Sequence, residues 1–182
     1  MEAPKQSTDP VRITHQELQM MMRYGQASNT VGGFTSKAFI ELPYAMVKRD
    51  IPELLKSDKV YEAIQLIMEH QHPDFDIEAV SGNEVVSFLI WIKENTERLQ
   101  RAEQIHLSSD PEPEMLAAGV MRLDEFGIDP TLEKIARDWN YTPEQIAEFP
   151  YHKIYRKIKL DKINGEINKK YNKILEDKAR RK

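Results

Sequence analysis

The chain contains no cysteine, which excludes disulfides, thiolate nucleophiles and Cys-ligated zinc. It also has no apolar run near the roughly eighteen residues that crossing a bilayer demands. Its longest apolar stretch, Val85 to Ile92, is interrupted by Ser87 and continues into charged residues. No glycine-rich loop suited to a phosphate is present, and no serine sits in a nucleophile-elbow context. Met1 to Pro10 lack the basic-then-apolar order of a signal peptide. Alternation with a period of two, the mark of a half-buried strand, is nowhere sustained. These absences set the expectations of a cytoplasmic location, no membrane partner, no cofactor, no metal, no small-molecule substrate and no enzymatic activity.

What the chain does have is charge, unevenly placed. Residues His152 to Lys182 hold twelve Lys and Arg against four Asp and Glu, a net of +8, within a total of −4. Subtracting the one from the other leaves −12 for residues 1–151. An acidic body with a cationic arm suits either an anionic partner or another copy of itself. The expected organisation is a mobile N-terminal segment with one short helix over 1–33, an acidic helical core over 34–151 and a basic amphipathic helical arm over 152–182.

Helical signals recur along the core. Thr14 and Glu17 form a capping box ahead of Leu18, Met21 and Met22, with Gly25 as a stop. Gln26 to Gly33 reads as a linker. Asp50 before Pro52 predicts a helix start, and Ser57 or Asp58 caps a helix whose face is Val60, Ala63, Ile64 and Ile67. Ser81 and Glu84 form a second capping box, opening the central helix with Val85, Phe88, Leu89, Ile92, Leu99 and Ala102 on one side. Beyond the prolines at 111 and 113, Met115, Leu116, Ala118, Val120, Leu123 and Phe126 predict a helix that Gly127 stops. Thr131 caps a short helix to Trp139, and Thr142-Pro143-Glu144-Gln145 opens another to Phe149. The class is all-α, with seven to eight helices ending in a long basic one. Leu42-Pro43-Tyr44 and Phe149-Pro150-Tyr151 echo one another, each expected as a tight turn whose aromatic ring packs on the core.

Two motifs weigh against specific chemistry. Leu132 to Ile146 has helix-turn-helix rhythm, but Glu144 and Glu148 would face a polyanion where DNA readers place basic residues. A compact corner packing Trp139 is the better reading. His70 and His72, with Asp74 and Asp76 nearby, are the densest group of metal-ligand types. On a helix, positions i and i+2 project about 200° apart, so the pair does not converge on one ion without unwinding. A helix C-terminus accounts for histidines there without a metal.

The arm carries the functional expectation. Ile154, Ile158, Ile163, Ile167, Tyr171, Ile174 and Leu175 form an irregular apolar stripe among the lysines, and Gly165, at about 1 kcal/mol relative to Ala, predicts a bend or fray. Candidate partner-binding residues are Lys153, Arg156, Lys157, Ile158, Lys162, Ile167, Lys170, Tyr171 and Ile174. The stripe can dock on its own body, meet a second copy in trans, or accompany lysines onto nucleic acid. An apolar stripe must still be buried in the last case, which ranks a protein surface above nucleic acid. The expected function is a non-enzymatic assembly or adaptor protein working through protein contacts or self-association, the alternative being phosphate binding by the arm.

The segment Trp139-Asn140-Tyr141-Thr142-Pro143-Glu144-Gln145-Ile146, followed by Phe149-Pro150-Tyr151, resembles one near the C-terminus of some tail-assembly chaperones and small morphogenesis proteins of tailed bacteriophages. The resemblance covers about twenty residues. It implies a helical, non-enzymatic protein acting by transient, multivalent protein binding during virion assembly, in the host cytoplasm.

Overall fold

A computed structural model of the chain describes residues 20, 22, 25–108, 111 and 113–180. The fold is all-α apart from one small hairpin, and it ends in a long helix. The helix expected behind the Thr14–Glu17 box falls almost wholly outside the described residues.

The stretch expected as a linker is instead folded. Strands β1 (Thr30–Val31) and β2 (Phe34–Thr35) pair antiparallel, Val31 opposite Phe34. Gly32 and Gly33 both take positive φ, +56° and +79°, as the two-residue turn of a tight hairpin requires. Val31 is fully buried, and the Ser28 N–H donates to the Ser87 carbonyl at 3.0 Å. Two-residue strands are too short to show alternation, so only the Gly-Gly pair marked them.

After a single 3₁₀ turn at Phe39–Glu41, a π turn at Met46–Asp50 runs directly into helix α1, Ile51–Lys56. Asp50 therefore lies inside helical backbone and is not a cap; its carboxylate pairs with Arg49 Nε at 2.8 Å. Pro52 lacks an N–H, and its ring crowds the carbonyl four residues back, a conflict that the widened turn just before it relieves. Helix α2 (Val60–Glu69) also starts without a side-chain cap: Asp58 adopts φ 57°, and Lys59 N–H closes onto the Leu54 carbonyl at 2.9 Å. Its face of Ala63, Ile64 and Ile67 is buried as the periodicity predicts, with Met68 added.

Helix α3 (Gly82–His106) opens on the expected capping box, Ser81 Oγ donating to Glu84 at 2.6 Å. That hydroxyl and the Ser81 N–H hold the Glu84 carboxyl below its usual range, and the Gly32 N–H adds a third bond. The helix expected over Met115–Phe126 is broken in two: α4 (Pro113–Ala117) and a 3₁₀ segment, Val120–Phe126, are separated by Gly119 at φ +85°. None of its large apolar residues is buried. Helix α5 (Asp129–Trp139) begins two residues before Thr131, with Pro130 in its first turn, so Thr131 is not its cap. Asn140 in the left-handed region ends it, and the complete Thr142–Gln145 capping box starts α6, Pro143–Ala147. Helix α7 spans Tyr151–Arg180 without interruption at Gly165.

The chain divides into two compact units: the described residues up to Phe39 with Glu53–Asn95, and Ile40–Pro52 with Thr96 onward. The first unit is built on Val31, Phe39, Ile64, Ile67, Val85, Phe88 and Ile92. The second packs Leu42, Ile51, Leu132, Ile135, Ile146, Tyr151 and Ile154.

Candidate functional site

Helix α7 is the feature on which the functional reading rests, and its base is fixed by a pairing of the two echoing tripeptides. Pro43 and Pro150 form an isolated antiparallel bridge. The Tyr44 N–H donates to the Phe149 carbonyl at 2.8 Å, and the Tyr151 N–H donates to the Leu42 carbonyl at 2.9 Å. The prolines thus occupy the pair of an antiparallel ladder that exchanges no hydrogen bonds, where a missing N–H costs nothing. Each tyrosine then enters helical backbone. Their rings stack at 6.0 Å and 18°, and Tyr155 continues the stack against Tyr151 at 5.9 Å. Both tyrosines of the bridge are buried, as the expected packing of their rings requires, and their direct pairing is the new element.

Glu103, on the second half of α3, anchors this stack. It accepts from the Tyr151 hydroxyl at 2.7 Å through one carboxylate oxygen and from Lys48 Nζ at 2.6 Å through the other. Burial first, and the Glu103 charge second, push the Tyr44 hydroxyl up to about 12. The same burial, with the hydrogen bond to Glu103, raises Tyr151 further. Both phenols are therefore held neutral, and the cluster is a structural anchor with no ionised nucleophile. His152 faces the Ile40 carbonyl at 3.1 Å, and Trp139 and Tyr141 set their rings edge-on to Phe149 at 5.8 and 5.4 Å.

The candidate residues of the arm fall into two groups. Lys157 lies between Asp138 and Asp161, at 2.6 and 2.7 Å, with only 15% of its side chain exposed. These hydrogen bonds raise its pKa; burial pushes the Asp161 carboxyl up, but its bonds to Lys157 and Lys134 leave it below the usual range. Lys162 Nζ donates to the Ser108 carbonyl at 2.7 Å, Ile158 is half-buried, and Lys153 Nζ stands 5.9 Å from the centre of the Phe149 ring. Arg156 is exposed on this same part of the helix. The second group is Ile167, Lys170, Tyr171 and Ile174, all on the stretch from 163 to 180, where every residue is exposed. Ile167 and Tyr171 are 56% and 58% exposed. At about 100° per residue, Leu160, Ile163, Ile167, Tyr171 and Ile174 fall within roughly 80° of arc, so the stripe is regular over this half.

Residues 115–126, expected as one continuous helix, form a second exposed apolar surface. A pocket of about 390 Å³ opens there among Met115, Val120, Leu123 and Phe126. His72 Nε2 lies 3.0 Å from the Thr35 carbonyl, and its ring sits 5.1 Å from that of Phe34. Among the described residues no three His, Asp or Glu converge as a metal site, and no described helix is long and apolar enough to cross a membrane. No protein-family model, curated protein or solved structure matches the chain.

Proposed function

We propose that this chain is a non-enzymatic assembly or adaptor protein that grips another protein with the distal half of α7. The observation that carries the reading is the apolar stripe Ile163, Ile167, Tyr171 and Ile174, exposed along a helix whose other half is tightly packed. Solvent-exposed stripes of this length on one helix face suit a helix-in-groove contact, with flanking lysines steering the encounter. The charge census supports protein over phosphate. Residues 163–182 carry seven Lys and Arg against three acids, a net of +4 over twenty residues, whereas residues 152–162 carry the same net of +4 over eleven, so the distal half is the less densely cationic part of the arm. Morphogenesis of tailed phages is the proposed setting, supported by the resemblance of the segment from Trp139 to Tyr151.

The test is the solution mass of the intact chain, by sedimentation over a range of concentrations and with any co-purifying protein. The wild type is expected to gain mass by self-association or to carry a stoichiometric partner. Ile167→Asp with Ile174→Asp should abolish that gain while leaving the far-ultraviolet spectrum unchanged. A monomer without partner at every concentration sinks the proposal. So does a low-salt gel shift on nucleic acid that Lys170→Glu with Lys173→Glu removes.

A further inference from the structure

We infer that the surface at 115–126 is the receptor for the distal half of α7 of a second copy, so that the chain self-associates head to tail. This rests on the reading of α7 as a protein-binding arm and names its partner. Two exposed apolar surfaces lie in the same compact unit. One is the α7 stripe. The other is made by Met115 on α4 and by the 3₁₀ segment, where three residues per turn bring Val120, Leu123 and Phe126 onto one face around the pocket. Phe126 is 53% exposed and Leu123 50%, so the unit's own α7 does not cover them.

Charge selects this pairing over the alternatives. Residues 110–129 carry six carboxylates against one arginine, a net of −5. Residues 163–182 carry seven Lys and Arg against three acids, a net of +4. Setting the stripe on this surface therefore joins apolar to apolar and cation to anion. Pairing two arms would instead bring like charges together. Leu160, Ile167 and Ile174 do recur at seven residues, but the second seam position of that heptad would hold either Ile163, Lys170 and Asp177 or Asn164, Tyr171 and Lys178, so charge interrupts a coiled-coil seam between two arms. The eighteen residues of the exposed half extend about 27 Å, enough to lie across a pocket and its rim. Donor and acceptor are different surfaces of one chain, so the contact is heterologous and propagates into a ring or filament.

The experiment uses full-length chains in sedimentation. The arm variant Ile167→Asp with Ile174→Asp and the receptor variant Leu123→Asp with Phe126→Asp should each be monomeric. Mixed one to one, they should form a capped dimer and nothing larger, because each supplies the surface the other lacks. All four positions are exposed, so folding is checked by an unchanged circular dichroism spectrum. As a second, milder pair, Asp124→Lys with Glu125→Lys should weaken association about tenfold, and Lys170→Glu with Lys173→Glu in the same chain should restore it. A receptor variant that associates like the wild type overturns the inference while leaving α7 as a protein-binding arm. A mixture that stays monomeric overturns it as well. A wild type that is monomeric yet holds a different protein through Ile167 and Ile174 also ends the inference, without touching the broader proposal.

Discussion

The two halves of α7 are equally rich in isoleucine but differ in circumstance. From Tyr151 to Lys162 the helix is tied down by the proline bridge, the tyrosine stack, Glu103 and the Asp138–Lys157–Asp161 cluster. From Ile163 to Arg180 every residue is exposed, although isoleucines continue at the same density, three in eighteen residues after two in twelve. Amphipathic pattern therefore identifies a face that needs covering and does not say what covers it. In the first half the cover is the chain's own second unit. In the other half the stripe faces solvent.

The sharpest way to break this contrast is to truncate one tyrosine from each half. Tyr151→Ala removes a buried ring together with the hydroxyl that Glu103 accepts from, and should cost about 3–5 kcal/mol in chemical denaturation. Tyr171→Ala should stay within about 0.5 kcal/mol of the wild type, because the side chain is 58% exposed. Equal effects from the two substitutions would erase the distinction.

Alkaline titration sharpens it with a somewhat smaller effect. Tyr44 has its pKa raised from 10.0 to about 12, so above pH 10 the native state keeps a proton that the unfolded chain loses. Its stabilisation is fully present below pH 10 and disappears as pH rises through 12, a loss of roughly 3 kcal/mol from this group. Urea midpoints measured from pH 8 to pH 11.5 should fall steadily from pH 10 upward, and Tyr44→Phe should flatten that decline. A decline of the same slope in the Tyr44→Phe protein would show that Tyr44 is not its origin.

The smallest effect belongs to the exposed half. A methyl at Gly165 meets nothing within 4 Å, so Gly165→Ala should add about 0.5–1 kcal/mol to local helix stability. Amide hydrogen exchange around residue 165 should slow about two- to fivefold while the global denaturation midpoint stays put. A midpoint that moves by the full amount would mean that both halves of α7 unfold together.

Much of the fold was legible because its signals are local. The Ser81–Glu84 and Thr142–Gln145 boxes are spelled within four residues, and the buried faces of α2 and α5 repeat at helical spacing. The hairpin at Gly32-Gly33 escaped because two-residue strands carry no periodicity. The π turn before Pro52 escaped because proline marks helix starts more often than it follows a widened turn. Residues 115–126 were expected as one helix, yet Gly119, at positive φ, breaks it in two. For the candidate site, the stripe was visible in the spacing of its isoleucines. The neutralisation of Lys157 by Asp138 and the anchoring by Glu103 and Lys48 were not, since each partner comes from a distant part of the chain. The one sequence signal for the anchor was the repeated Pro-Tyr step, which is recognisable as a pair only once the two copies are seen to meet.

That meeting also sets a schedule for synthesis. Pro43 and Pro150 stand 107 positions apart, counting from one to the other. At about 5–20 residues per second, Leu42 and Tyr44 emerge from the ribosome between roughly 5 and 20 seconds before the segment they bond to exists. Closing so long a loop is slow compared with forming any single helix of this chain. The first unit can assemble much of its helical structure during that interval, whereas the second waits for its last helix to begin. A nascent chain paused before Phe149 therefore displays the unsatisfied backbone and apolar rings of residues 42–46, a window in which a cellular chaperone would find its target.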